Sequence, residues 1–184
     1  MDRDVFILSA ASDAGSAGAI RMALEQADVD PARVQDIVFG LEDSTYLPDV
    51  EGLVHDAGLT CPFVFVSSGM RAVFFSAQSI LSGDLDIVMV ASLAESASAA
   101  LLLVSPDAVG RYNLMPRARL AARSLVGTGS ALRAAGIPAE DVAVSKTGES
   151  GALSVKELLE ELEQGQSQWG MLSIGDSALL VERI

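Results

Sequence analysis

A weak internal repeat constrains the fold of this chain more than any single motif does. Residues 23–34 are matched by residues 131–142, with each shared alanine, leucine and β-branched position displaced by 108 positions. Two further matches follow in the same order, residues 83–90 with 165–172 and residues 98–102 with 177–180. Three matches in one order predict that a single supersecondary unit occurs twice.

The chain alternates between short apolar segments and helical patterns. Because the apolar segments do not alternate with polar residues, they are typical of strands whose sheet is covered on both faces. The predicted strands are Val5–Leu8, Val34–Phe39, Phe63–Val66, Ile87–Val90, Ala100–Val104, Val142–Ser145, Met171–Ile174 and Leu179–Val181. The predicted helices are Ser16–Gln26, Gly69–Leu81, Ser130–Ala135 and Val155–Glu163. This alternation predicts an α/β fold.

The two copies of the repeat differ in length. From Leu24 to Gly83 there are 59 residues in the first copy, and from Leu132 to the corresponding Gly165 there are 33 in the second. We therefore expect the second copy, which is 26 residues shorter, to lack one helix–strand unit. The expected halves are 1–114 and a shortened 115–184 within one globular unit, the second starting with a strand at Arg117–Ala122.

Composition excludes several classes of function. The 184 residues carry 12 Lys+Arg against 25 Asp+Glu, a formal net charge of −13, so a nucleic-acid binder is excluded because phosphates require a basic surface. With one cysteine, Cys61, and one histidine, His55, no disulfide and no cysteine-rich or multi-histidine metal site is expected. The acidic N-terminus and short apolar runs predict a cytoplasmic protein without membrane contact.

Several segments together resemble the thiolases and related condensing enzymes. The first half of that family is similar to residues 23–40, 67–84, 87–90 and 95–96, the passage into its second half to 99–106 and 115–120, and its closing strand–turn–strand to 170–183. The resemblance implies a thiolase-like fold of duplicated βαβ halves with layered sheets and helices. It also implies a place in acyl-CoA and lipid metabolism.

The same resemblance places the catalytic groups of the family on altered residues. The acylated cysteine falls on Val66 in the thiolase pattern or on Ser67 in the ketoacyl-synthase pattern. The histidine falls within 146–151, which contains none, and the closing cysteine falls on Ser173. Thiolases also insert a loop domain after the segment matching 95–96, and this insert, which helps to hold coenzyme A, is absent here. Three altered positions argue against retained thiolase chemistry.

Ser67 and Glu149 are the candidates for any remaining catalysis. Ser67 would act as a nucleophile at the start of a helix, with Glu149 as its base. A serine at such a junction is also an ordinary helix cap. An exposed glutamate, with a pKa of about 4.3, is a weak base for activating a hydroxyl.

A cluster of arginines is the candidate ligand-binding feature. Five arginines and no acid lie between Ala108 and Ala139. Of these, Arg117, Arg119 and Arg123 are the candidates for binding the phosphates of coenzyme A or an acyl-CoA, or the acidic face of a partner. The alternative is a set of surface arginines paired with the many carboxylates, and no cofactor is required in that case.

These observations favour a non-catalytic thiolase-like subunit, a pseudoenzyme. It would form a homodimer, or a heteromer with a catalytic thiolase or condensing enzyme. By resemblance, Phe63–Val66 would pair with its mate across a dimer interface. Two alternatives stay open: an acyltransferase acting on a CoA thioester through Ser67, and a CoA-binding module without chemistry. The sequence leaves enzymatic activity undecided.

Overall fold

Nine strands and six helices alternate along the part of the chain that the structure, a computed structural model, describes: residues 4–41, 49–93, 98–148 and 150–184. The strands are β1 (Phe6–Asp13), β2 (Asp36–Leu41), β3 (Phe63–Val66), β4 (Ile87–Leu93), β5 (Ser98–Val104), β6 (Ala118–Ser124), β7 (Val142–Thr147), β8 (Trp169–Ile174) and β9 (Ser177–Arg183). The helices are α1 (Ser16–Ala27), α2 (Val50–Asp56), α3 (Gly69–Ser82), α4 (Pro106–Tyr112), α5 (Thr128–Ala135) and α6 (Gly151–Gly165).

One strand arrangement occurs twice in the sheet, whose order is β3-β2-β4-β5-β1-β6-β9-β8-β7. In the first part β2 runs parallel to β3 and β4, and β5 is antiparallel to β4 and β1. In the second part β7 runs parallel to β8, and β9 is antiparallel to β8 and β6. The α/β fold expected from the sequence is therefore confirmed, and the division into halves at residue 114 stays a prediction.

The second part is shorter because its first parallel strand leads almost directly into a helix. Only residues 148–150 separate β7 from α6, whereas α2 and β3 lie between β2 and α3. Within the described residues, β7 therefore has no neighbour on its outer edge, at the place that β3 occupies in the first part. The expected loss of one helix–strand unit matches this topology.

Two helices form a layer between the two parts of the sheet. β1 and β6 join the parts through only two residue pairs, Phe6 with Arg119 and Ile7 with Ala118. The helix α3 packs on β2 and β4, while α6 packs on β8 and also on β1, β4 and β5. One apolar core, containing Val73, Ile80, Leu101, Leu158 and Leu179 among others, surrounds both helices. The remaining helices cover the outer faces, with α1, α2 and α4 on the first part and α5 on the second.

Most predicted elements exist, and their ends differ by a few residues. β1 was expected to end at Leu8 but continues to Asp13, and α6 begins four residues before the expected Val155. The first strand of the second part begins at Ala118, so Arg117 lies just outside it. The predicted helices do not include α2 or α4. In α4 the missed signal is a local cap, because the Ser105 hydroxyl accepts the Ala108 N–H at 3.1 Å ahead of Pro106.

No helix in the described ranges is both long enough and apolar enough to span a bilayer.

Candidate functional site at the meeting point of two helix N-termini

The first element of the candidate site is the junction between β3 and α3. Ser68 is the N-cap of α3, and its hydroxyl accepts the Arg71 N–H at 3.3 Å. Gly69 begins the helix and is buried, whereas Ser67, one residue before the cap, is exposed. The capping interpretation of this serine pair therefore applies to Ser68, and it leaves the Ser67 hydroxyl facing solvent.

Three glycines bring the backbones of β2, α3 and α6 into direct contact. A Cβ atom on Gly151 would lie 2.1 Å from the carbonyl carbon of Gly69 and 2.2 Å from the Met70 nitrogen. A Cβ atom on Gly40 would lie 2.4 Å from the Gly69 Cα. Real Cβ contacts are never this short, so only glycine fits at 40 and 151. The first turns of α3 and α6 thus touch at the end of β2.

The convergence of two helix N-termini gives the site its electrostatic character. Each N-terminus carries backbone N–H groups without helical partners and the positive end of a helix dipole. In α6 one of these donors is already used, because the Ala152 N–H bonds the hydroxyl of the buried Ser92 at 3.3 Å. Such an arrangement favours an anion or a developing oxyanion near the helix starts.

The end of β8 lies next to the start of α6. The Ser173 hydroxyl donates to the Lys146 carbonyl at 3.3 Å and lies 3.4 Å from the Thr147 hydroxyl. The Gly148 N–H donates to the Ser173 carbonyl at 2.9 Å. A Cβ atom on Gly148 would collide with Ser154 of α6. Ser173, the position of the family's closing cysteine by resemblance, therefore belongs to the strand ends that border α6.

Of the two candidate catalytic residues, Ser67 and Glu149, the structure describes only Ser67. No side chain of the described residues hydrogen-bonds to the Ser67 hydroxyl, and Glu149 lies outside the described residues. The one histidine, His55, is in α2 on the outer face of the first part, and its side chain is 91% exposed. Its Nδ1 lies 3.9 Å from an Asp56 carboxylate oxygen. No histidine can therefore act as the base for Ser67 within one chain.

The three candidate arginines do not form one patch. Arg117 donates to Glu163 of α6 at 2.6 Å, and Arg119 contacts Glu182 at 2.6 Å and Asp4 at 3.1 Å. Hydrogen bonds and attraction from these two carboxylates raise the pKa of Arg119, although burial opposes the shift. Arg123 instead donates to the Gln78 amide oxygen at 2.5 Å. Arg117 and Arg119 are therefore surface arginines paired with carboxylates, which was the alternative to ligand binding.

Cys61 is a half-buried thiol at the opposite end of the same strands. It packs against the outer core of the first part, and burial raises the pKa of its thiol, as does the nearby Asp36 carboxylate. A raised pKa disfavours the thiolate, so this cysteine is a poor nucleophile. Within the described ranges no three potential metal ligands of the His, Cys, Asp or Glu type lie together.

Ser67 stays a predicted site residue, whereas the residues that shape the meeting point of the two helices were not predicted. Gly40, Ser92 and Gly151 come from three different elements, and the sequence shows no relation between them. Their common signal is positional, since two follow or end apolar strands and one begins a helix. Only the tertiary arrangement brings these positions together.

Comparisons with known proteins identify the fold. Two crystal structures of human mitochondrial 3-ketoacyl-CoA thiolase are similar to this chain, each with 11% sequence identity. The structure in complex with CoA matches with a TM-score of 0.83 over 99% of this chain and 98% of the thiolase chain. The second matches with a TM-score of 0.82 over 99% of both chains. No protein-family model matches the sequence, and no curated protein is significantly similar to it. The chain has the thiolase fold, as its resemblance implied.

Proposed function

We propose that this protein is a non-catalytic, cytoplasmic thiolase-like subunit that supports acyl-CoA metabolism by associating with a second subunit. One observation carries the proposal. The helix N-termini that meet around Gly69 are built as in an anion-stabilising site, yet the positions for a nucleophile hold Val66 and Ser67. The chain's one histidine lies in α2, on the outer face of the first part. A retained scaffold without its reactive groups suits a structural partner.

The open edge of β3 supports association. β3 is the terminal strand of the sheet, and its outer edge has no neighbour among the described residues. Val64 is 36% exposed and Phe65 is 40% exposed. An apolar, unpaired edge strand is a template for pairing with another chain. A homodimer through β3 is therefore the first assembly to test, followed by a heteromer with a catalytic thiolase or condensing enzyme.

Native mass spectrometry tests the assembly. We expect a dimer for the parent chain and a monomer for Val64→Lys, because a lysine on an edge strand opposes strand pairing. Val126→Lys is the matched control, since Val126 is exposed in the loop after β6 and is remote in sequence from β3. A parent chain that stays monomeric and binds no thiolase subunit would contradict the proposal.

The acyltransferase alternative is favoured by the exposure of the Ser67 hydroxyl at the start of α3. It requires an acyl group from a CoA thioester to transfer to Ser67, with Glu149 accepting the hydroxyl proton and the CoA thiolate leaving. Intact-mass spectrometry after incubation with acetyl-CoA and longer acyl-CoA distinguishes the two functions. An adduct that disappears in Ser67→Ala supports the enzyme, whereas an unmodified mass supports the subunit.

A CoA-binding module without chemistry is the third function to test. One of the similar thiolase structures is a complex with CoA. Of the candidate arginines, Arg123 is not paired with a described carboxylate. Calorimetry with CoA on the parent and on Arg123→Gln would test this function, because an ion pair to a phosphate is lost in the variant.

A further inference from the structure

A groove runs along the exposed side of α3 and ends at the last residues of β6. Its volume is about 430 Å³, within the range of small-molecule sites. The wall from α3 consists of residues spaced three or four apart, which places them on one helix face. The residues that define the groove are Arg71, Phe74, Phe75, Gln78, Arg123 and Leu125.

The groove has an apolar lining that the core does not use. Phe75 is 46% exposed and Leu125 is 63% exposed, although both are large apolar side chains. Phe74 beside them is only half-buried. Large exposed apolar residues gathered at one site are typical of a binding surface. The groove therefore offers an apolar contact that lacks an occupant within the described chain.

Two arginines give the groove its charge. Arg123 is half-buried, and this burial lowers its pKa. Its contact in the groove is the neutral Gln78 amide. Arg71 lies in the first turn of α3, where the helix dipole disfavours a cation. Arg123 is therefore a half-buried cation without a carboxylate partner among the described residues, and an anion in the groove would supply its counter-charge.

A second groove on the protein provides the contrast. Between α1 and the turn that follows it, Arg21 and Arg33 line a groove together with Glu25, Asp28 and Asp30. There the chain supplies its own carboxylates. In the α3 groove no acidic residue contributes to the lining, although acids outnumber bases by 25 to 12 in the whole sequence.

We propose that the α3 groove binds a medium-chain carboxylate, with the carboxylate on Arg123 beside Gln78 and the alkyl chain on Phe74, Phe75 and Leu125. Arg71, at the other end of the groove, adds positive charge to the site. From Arg71 to Gln78 the helix rises about 10 Å, which suits a short alkyl chain lying along α3. A guanidinium matches a carboxylate in a two-donor geometry. The proposal does not depend on the subunit role, because it involves neither Ser67 nor the β3 edge.

A second copy of the chain fits this groove less well. A two-fold contact brings the same surface patch of both copies together. The patch would then have to supply its own counter-charges, and no acidic residue lines the groove to pair with Arg71 or Arg123 of the other copy. A small anion with an apolar tail satisfies both the charge and the apolar lining.

Titration calorimetry with octanoate tests the site. We expect saturable binding to the parent chain and at least about tenfold weaker binding to Arg123→Gln, the loss of one charge-assisted contact. Arg71→Gln should also weaken octanoate binding. Because Arg71 is exposed, this variant tests the charge of the groove without disturbing the fold. Phe75→Ala should weaken octanoate several-fold. Arg133→Gln is the matched control, because Arg133 bonds Ser130 on α5 and is outside the groove.

Ligand controls separate the head from the tail. Acetate carries the carboxylate without the alkyl chain, and octylammonium carries the alkyl chain with a positive charge, so both should bind at least about tenfold more weakly than octanoate. Equal binding of octylammonium, or octanoate binding unchanged in both arginine variants, would overturn the proposal. An absence of octanoate binding to the parent chain would also overturn the proposal. This result is independent of the tests of CoA binding and of dimer formation.

Discussion

The two parts of the sheet share a strand order but are protected to different extents. In the first part every residue of β4 and β5 is buried, because α3 and α6 cover one face and α1 and α2 cover the other. In the second part β7 alternates between half-buried and exposed residues, and β6 has one buried residue of seven. Among the described helices, only α5 covers the outer face there.

This difference shows what the missing helix–strand unit provides in the first part. There, α2 adds Val50 and Val54 to the outer core, and β3 covers the edge of β2. Without such a unit, β7 is an edge strand and its outward residues must tolerate water. Its sequence accordingly contains Ser145, Lys146 and Thr147 where β2, 108 positions earlier, has the apolar residues 37–39. Both parts pack on the central layer of α3 and α6, so the absence of a helix–strand unit affects only the outer face and the edge of the second part.

The largest expected effect follows from this difference in cover. Leu101→Ala in β5 removes a fully buried side chain from the core that surrounds α3 and α6. We expect a loss of about 2–5 kcal/mol in the free energy of unfolding. Leu120→Ala in β6 is the matched change, and it should cost clearly less because Leu120 is only partly buried. Urea unfolding measures both, and equal losses would contradict the asymmetry.

The next effect tests the contact between the two central helices. Gly151→Ala would place a Cβ atom 2.1 Å from the Gly69 carbonyl carbon, so the helices must move apart. We expect a loss of about 1–3 kcal/mol, as for overpacking elsewhere. Gly110→Ala in α4 is the control, because its Cβ would meet nothing within 4 Å. That change should stabilise by about 0.4–1 kcal/mol through the unfolded state. A neutral Gly151→Ala would show that the helices do not touch as described.

Much of the fold was predictable because local sequence patterns indicate most of its strands and helices. β4 and β5 are apolar except for one serine each, and α3 ends at Gly83 in the left-handed conformation, as its sequence indicated. The internal repeat was also visible in the sequence, because residues 23–34 match residues 131–142 at a constant displacement of 108 positions. Short elements escaped prediction, since the seven residues of α2 and of α4 are too few to show a helical period.

The candidate site was predictable only in part, for a physical reason. Ser67 follows an apolar strand and precedes a helix, a pattern that sequence displays directly. The contact of Gly69 with Gly151 joins residues 82 positions apart in sequence, and it depends on how α3 and α6 pack. The arginines show the same limit. Arg119 and Arg123 lie four positions apart in β6, and the sequence does not indicate that Arg119 would meet carboxylates while Arg123 would not.

A smaller effect concerns how the exposed strand β7 is held. Lys146 contacts Glu161 at 2.6 Å and Glu157 at 3.2 Å on α6, and these hydrogen bonds raise the pKa of Lys146. We expect Lys146→Met to cost at most about 1 kcal/mol, as for partly exposed ion pairs. Thermal unfolding should show a smaller difference from the parent at high salt, because salt screens such pairs.

Lys156→Met is the control for that experiment. Lys156 pairs with Glu160 within α6 at 2.7 Å and does not connect the helix to β7. A pair four residues apart within one helix contributes about 0.3–0.5 kcal/mol. If Lys156→Met destabilised the protein as much as Lys146→Met, the connection between strand and helix would have no special role.

The smallest effect lies in the first part, where close cover isolates a carboxylate. Asp36 begins β2, and one of its carboxylate oxygens is buried without a hydrogen-bond partner among the described residues. Burial raises the pKa of Asp36, although a hydrogen bond from the Ile37 N–H opposes the shift. The folded state then binds the proton more tightly than the unfolded state does. The stability contribution of Asp36 is therefore complete below its ordinary pKa and decreases as pH rises through the folded value.

Asp36→Asn removes that penalty, so its effect should depend on pH with a definite sign. We expect the variant to exceed the parent in Tm by at most a few degrees at about pH 7, and by less at about pH 4. Asp176→Asn, in the exposed turn between β8 and β9, controls for removing one charge from a protein of net charge −13. A gain at pH 4 that equals or exceeds the gain at pH 7 would mean that burial does not disfavour the Asp36 carboxylate. The close cover of the first part would then have no electrostatic cost at β2.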